Sequence, residues 1–158
     1  MGDSQDIRSI APGDYDFVFS CPPYADLEVY SDDPRDLSTM DYEAFLEAYG
    51  RIIAESVAML AKDRFACFVV GDVRDKKGHL RGFPWHTVEA FQRAGAGLYN
   101  DAVLVTQAGS LPIRVGKQFE TTRKLGRSHQ YVLVFVKGDA RAAVEAIGPV
   151  EVGLMQGV

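Results

Sequence analysis

Cys21-Pro22-Pro23-Tyr24 is the stretch of this chain best suited to do chemistry. A prolyl pair has no backbone N–H to give, so the carbonyls before and within it stand as acceptors. The pair also holds a short, stiff, extended turn, and the tyrosine behind it presents a flat π-face. Acceptors beside an aromatic face suit a planar substrate with an exocyclic amine, such as a nucleobase. Asp16-Phe17-Val18-Phe19-Ser20 leads into the turn and reads as a buried strand that stops at the prolines. The carboxyl end of such a strand is where open α/β sheets bind ligands. The simpler alternative is a turn that only ends a strand or docks a partner as a polyproline segment. The apolar strand directly before it favours the ligand-binding reading.

A second group of residues could meet phosphate. Between Gln107 and Gln130, Arg114, Lys117, Arg123, Lys124 and Arg127 stand against Glu120, a local charge of +4 in a chain of net charge −5. A basic loop on an acidic body has the electrostatic form of a nucleic-acid contact. It has equally the form of a solvated loop that answers the acidic face. Cys21 and Cys67 lie 46 positions apart, without Cys-x-x-Cys or histidine spacing, and read as reduced thiols rather than a disulfide or a metal site.

The elements that must position these groups follow from periodicity. At 158 residues, with 47% hydrophobic and 25% charged residues, the chain is long enough for one domain with a core. No apolar run approaches the roughly 20 residues of a membrane span, and the amino terminus is acidic rather than signal-like, which predicts a cytoplasmic protein. The first strand is expected over 17–20. Ala25 to Leu37 reads as a loop over the sheet edge, with Tyr30 as a candidate lid aromatic. Ser38-Thr39-Met40-Asp41 offers a capping box, followed by apolar residues at helical spacing from Phe45 to Leu60 and a stop at Lys62-Asp63. Arg64 to Val70 reads as a doubly buried strand. A helix through Trp85, Val88 and Phe91 ends at Gly95-Ala96-Gly97. A third strand is expected over 102–106, the basic loop over 107–129, and a fourth strand over 131–136. A short alanine-rich helix and a frayed tail close the chain. The helical connections predict parallel pairing, and the last two strands predict an antiparallel pair.

The turn and this order resemble the DNA amino-methyltransferases, whose motif IV reads Asp, Asn or Ser, then Pro-Pro, then Tyr or Phe. The resemblance covers nearly Asp14 to Asp139. It implies a partial Rossmann-like α/β sheet: the motif IV strand, helix, strand, helix and an antiparallel strand pair, without the first three strands of the family fold. It implies methyl transfer from S-adenosylmethionine to the N6 of adenine or N4 of cytosine in DNA. The Cys21 position and the Pro22 carbonyl would accept the amine hydrogens, Pro23 would hold the turn, and Tyr24 would stack on an extruded base. Gly2-Asp3-Ser4 looks like the tail of motif III, whose acid, here Asp3, contacts the cofactor's adenine. Gly71-Asp72 sits where motif VI would lie, and Ser128-His129-Gln130-Tyr131 looks like the family's lead into its last strand.

Two departures qualify these expectations. Position 21 is cysteine, whose thiol is a weak acceptor; the carbon-5 class, which uses a cysteine nucleophile, has Pro-Cys instead. The family's glycine-rich cofactor turn is also missing, since Gly95-Ala96-Gly97 ends a helix rather than opening one. The expectation is therefore a catalytic portion over 1–139, incomplete by itself, and a short helix with a tail over 140–158. The alternatives are a non-catalytic nucleic-acid-binding or structural remnant, or an RNA-directed amino-methyltransferase. Expected partners are DNA or RNA and a second polypeptide or a second copy. Phe17, Val18 and Phe19 would otherwise leave an apolar sheet edge unpaired, which a lysine at Val18 would disrupt if that side chain faces outward.

Overall fold

The computed structural model of the protein describes residues 3–24, 30–105 and 111–151. A 3-10 turn, Ser4–Asp6, and a short helix α1 (Ile7–Ile10) precede strand β1 (Tyr15–Ser20). A second 3-10 turn, Leu37–Thr39, leads to α2 (Tyr42–Met59), and β2 (Leu60–Val70), α3 (Phe83–Arg93) and β3 (Ala96–Val105) follow. Helix α4 (Leu111–Thr122), β4 (His129–Lys137) and α5 (Ala140–Ile147) complete the chain. The sheet order is β1-β2-β4-β3. β1 pairs parallel to β2, and β4 pairs antiparallel to both β2 and β3. The parallel unit and the antiparallel closing pair are those expected from the sequence.

α2 and α3 bury one face of the sheet. Phe45, Tyr49, Ile53, Phe83 and Phe91 meet Phe68 and Val70 of β2 and Leu133 and Phe135 of β4. Phe91 stacks on Phe135 at 3.8 Å and meets Phe68 edge-on at 4.8 Å. Each such side chain contributes about 1.5–3 kcal/mol by leaving water. α5 packs on β2 and β4 with Ala143 fully buried. Lys137 of β4 reaches the end of α2 and donates to the carbonyls of Val57 and Leu60, groups a helix end leaves without intrahelical partners.

Several boundaries differ from the sequence reading. The α2 cap is Asp41, whose carboxylate accepts from the Ala44 N–H at 2.9 Å. Ser38, expected as the cap, is buried in the preceding 3-10 turn and is itself capped by Asp36. Lys62-Asp63 does not close the helix but lies within β2, where Asp63 adopts φ 57° and the register to β1 shifts between Tyr15 and Phe17. β3 begins at Ala96, so of the three residues read as a helix stop only Gly95 lies between the elements. The segment expected as a basic loop carries α4. Trp85, expected on the buried helix face, is 60% exposed, and Phe83, outside the expected helix, takes a core position. Val18 packs against the core, while its neighbours Phe17 and Phe19 are exposed and, with Tyr15, face outward from β1. The alternation follows from the two-residue period of a strand. Of the expected loop over 25–37, residues 25–29 lie outside the described residues, as do Thr106 and most of the tail. Among the described residues, no helix is long and apolar enough to cross a membrane.

Candidate active-site rim

The ends of β1 and β2 and the start of β4 share one rim of the sheet, because Ser20 pairs with Phe68 and Val70 with Tyr131. Cys21-Pro22-Pro23-Tyr24 leaves β1 at this rim. Cys21 is exposed, Pro22 is buried, and Pro23 and Tyr24 are half-buried. Among the described residues, none donates a hydrogen bond to the Pro22 carbonyl. Tyr24 is fixed from the end of β2 and from β4: its hydroxyl accepts from the Gly71 N–H at 3.1 Å and from the Gln130 side-chain amide. Its ring meets Phe83 edge-on at 5.9 Å. The tyrosine is thus a rigid wall beside the prolyl turn.

Two clefts border this turn. One, of about 280 Å³, lies between the turn and α2 and is lined by Val18, Cys21, Pro22, Tyr49 and Ser56, among others. The other, of about 690 Å³, runs from Asp3, Asp6 and Ile10 past Pro23 to Asp33 and Leu37. Asp3 therefore shares a cleft with Pro23, although one of its carboxylate oxygens already accepts from the Gln5 N–H at 2.9 Å. Across this cleft Arg35 holds Asp33 through two hydrogen bonds and lowers its pKa to about 2. Tyr30, at the edge of the described residues, is 64% exposed, and its backbone N–H donates to Ser38.

Asp72 follows Gly71 and serves a different purpose. Its Oδ1 accepts from the N–H groups of Gly82 and Phe83, capping α3, while Arg127 Nη1 lies 3.8 Å from Oδ2. Arg81 covers the Tyr42 ring at 4.3 Å, and the Tyr42 hydroxyl meets His86 Nδ1 at 3.0 Å. Burial pushes the Tyr42 phenol up to about 12.

The expected basic group does not gather as one cluster. Lys124 lies against Gly78 of the turn after β2, and Arg127 stands beside Asp72, so both reach the rim. Arg123 bends back to donate to the Phe119 and Glu120 carbonyls at the end of α4. Lys117 is exposed on α4, and the Arg114 side chain lies outside the described residues. Sequence reasoning gave Gln130 and Asp72 only as parts of motifs; it did not foresee that one would clamp Tyr24 and the other would cap α3. Both are polar residues next to apolar strand runs, the one signal that could have marked them. Arg81, and the exposed Lys76 and Lys77 that precede the Gly78 against which Lys124 lies, were missed as cations near this rim.

No family model and no curated protein sequence matches the chain. Solved structures do resemble it. A provisionally assigned DNA modification methylase from Thermus thermophilus is 19% identical with a TM-score of 0.65, over 99% of this chain and 57% of that one. Its complex with S-adenosylmethionine gives 18% and 0.62, over 88% and 52%. M1.HpyAVI bound to S-adenosylmethionine is 12% identical with a TM-score of 0.54, over 89% and 53%. The chain spans about half the length of each, and the likeness establishes the fold: the chain shares the α/β arrangement of about half of each of these solved chains.

Proposed function

We propose that this chain forms the substrate-binding portion of an S-adenosylmethionine-dependent DNA amino-methyltransferase. The observation that carries the reading is the Cys21–Tyr24 turn at the sheet rim, with a cleft on either side and its tyrosine locked by Gly71 and Gln130. An exocyclic amine is a poor nucleophile because its lone pair is delocalised into the base. The Pro22 carbonyl accepts one amine hydrogen and the Cys21 position the other, which draws the nitrogen toward tetrahedral geometry. Tyr24 stacks on the extruded base and offsets part of its lost stacking. S-adenosylmethionine supplies the electrophilic methyl group when bound.

The residues present fit that cofactor in part. Asp3 brings a carboxylate, and Ile10 and Leu37 bring apolar surface, to the cleft that reaches Pro23. The glycine-rich turn that would let backbone N–H groups approach the ligand has no counterpart in the sequence. The catalytic portion then runs over 1–139, with 140–158 as an appended helix and tail. The missing turn also supports a second reading, a nucleic-acid-binding or structural remnant without activity of its own.

Titration calorimetry separates these. The isolated chain is expected to give no saturable binding of S-adenosylmethionine up to about millimolar ligand, a level worth only ~4 kcal/mol. Micromolar binding would mean that the cofactor site lies within this chain. With a cofactor-binding half supplied, tritiated S-adenosylmethionine should label N6 of adenine or N4 of cytosine in DNA. Label on carbon 5 would overturn the amino-transfer reading, label on RNA alone would change the substrate, and no label would favour the remnant.

A further inference from the structure

The only tryptophan of the chain, Trp85, stands 60% exposed on the first turn of α3. Tryptophan is highly buried on average, and the helix has core positions for Phe83, Thr87 and Phe91. Trp85 packs instead at the rim, 5.9 Å from Tyr131, which His129 meets edge-on at 5.4 Å. The backing is rigid. Asp72 fixes the start of α3 through the Gly82 and Phe83 N–H groups, and Tyr131 belongs to the central strand β4.

Cations stand on and against the hairpin that leads into α3. The chain from β2 to α3 makes a small hairpin in which Arg74 bridges to Leu80 and donates to the Gly78 carbonyl at 2.7 Å. Lys76 and Lys77 are exposed at its tip. Lys124 lies against Gly78 so closely that a Cβ there would stand 2.7 Å from its Nζ. A hairpin of about three residue pairs spans roughly 10 Å, within the reach of a few nucleotides.

We infer that Trp85, backed by Tyr131, stacks on a base of a single-stranded nucleic-acid segment next to the base held at Tyr24, while Lys76, Lys77 and Lys124 meet its phosphates. Aromatic faces combined with a cationic track are what sequence-tolerant single-strand binding requires. The inference rests on the nucleic-acid reading above, but its stacking platform and its cations lie outside the prolyl turn.

Because Trp85 is the only tryptophan, its emission reports this site alone. Titrating the full chain with a thymidine oligonucleotide should quench that emission saturably, in step with the anisotropy of a labelled copy. Trp85→Ala should weaken binding roughly tenfold and Trp85→Phe should recover most of it. Replacing Lys76, Lys77 and Lys124 by glutamine should flatten the salt dependence, whereas Trp85→Ala should leave that slope unchanged. Circular dichroism of each variant checks that the fold persists. Binding with unchanged emission and an unaffected Trp85→Ala variant would overturn the Trp85 platform; if Tyr24→Ala still weakened that binding, the reading of the prolyl turn would stand. An absence of binding to any oligonucleotide would overturn both.

Discussion

Tyr24 carries the geometry of the site through one oxygen. Its hydroxyl is the acceptor for Gly71, just past the end of β2, and for Gln130 of β4, so the ring is pinned across the rim. Tyr24→Phe keeps the stacking face but leaves these donors without their partner. We expect a stability loss of about 1–2 kcal/mol in urea unfolding, with nucleic-acid binding weakened less than in Tyr24→Ala. Equal stability of Tyr24→Phe and wild type would mean that water replaces the phenol at no cost. A second residue-scale test concerns Asp33, whose pKa the Arg35 guanidinium lowers from 3.8 to about 2. A carboxyl with a lowered folded-state pKa contributes its contact above pH 3.8, and the contact is lost as pH falls through about 2. NMR titration of the Asp33 carboxyl carbon should place its midpoint well under the ordinary value; a midpoint near 3.8 would show that the pair does not persist in solution.

At the scale of elements, the far end of the sheet is as constrained as the rim. Asp63, held at φ 57° in β2, accepts from the Asp139 N–H at 2.7 Å, and Gly138 sits against it at φ 91°. A Cβ on Gly138 would stand 2.3 Å from Asp63 Oδ1 and 3.1 Å from its backbone nitrogen. Gly138→Ala therefore combines a left-handed backbone with a clash against a side chain engaged elsewhere. It should cost more than about 1 kcal/mol, read as a lower urea midpoint. Gly71→Ala makes a useful contrast: its Cβ would lie 3.5 Å from the Tyr24 hydroxyl, an ordinary contact.

For the whole molecule, the decisive feature is the open side of β1. Among the described residues it is an edge strand, and Phe17 and Phe19 are 56% and 61% exposed along it. Such an edge is a template for another chain. We expect self-association or a required partner here, and Phe19→Lys should reduce association without unfolding, since Phe19 lies outside the core. Sedimentation of the wild type as a single monomeric species at tens of micromolar would defeat this expectation.

The sequence by itself determined the order of the elements and the position of the prolyl turn. Both depend on local chemistry: apolar period, prolines that end a strand, and glycine after a helix. It marked Asp72 and Gln130 only as neighbours of strands. Their partners lie 10 and 106 positions away, distances that no local pattern encodes. Tertiary structure alone decided which of the basic residues reach the rim, because the chain from 107 to 129 is not one loop but includes α4, which turns Arg123 back on its own carbonyls and leaves Lys124 and Arg127 to the rim. It also decided which face of β1 is bare. A period of two makes Phe17 and Phe19 equivalent to each other and opposite to Val18, but only the helices packed on one side of the sheet determine which set is covered.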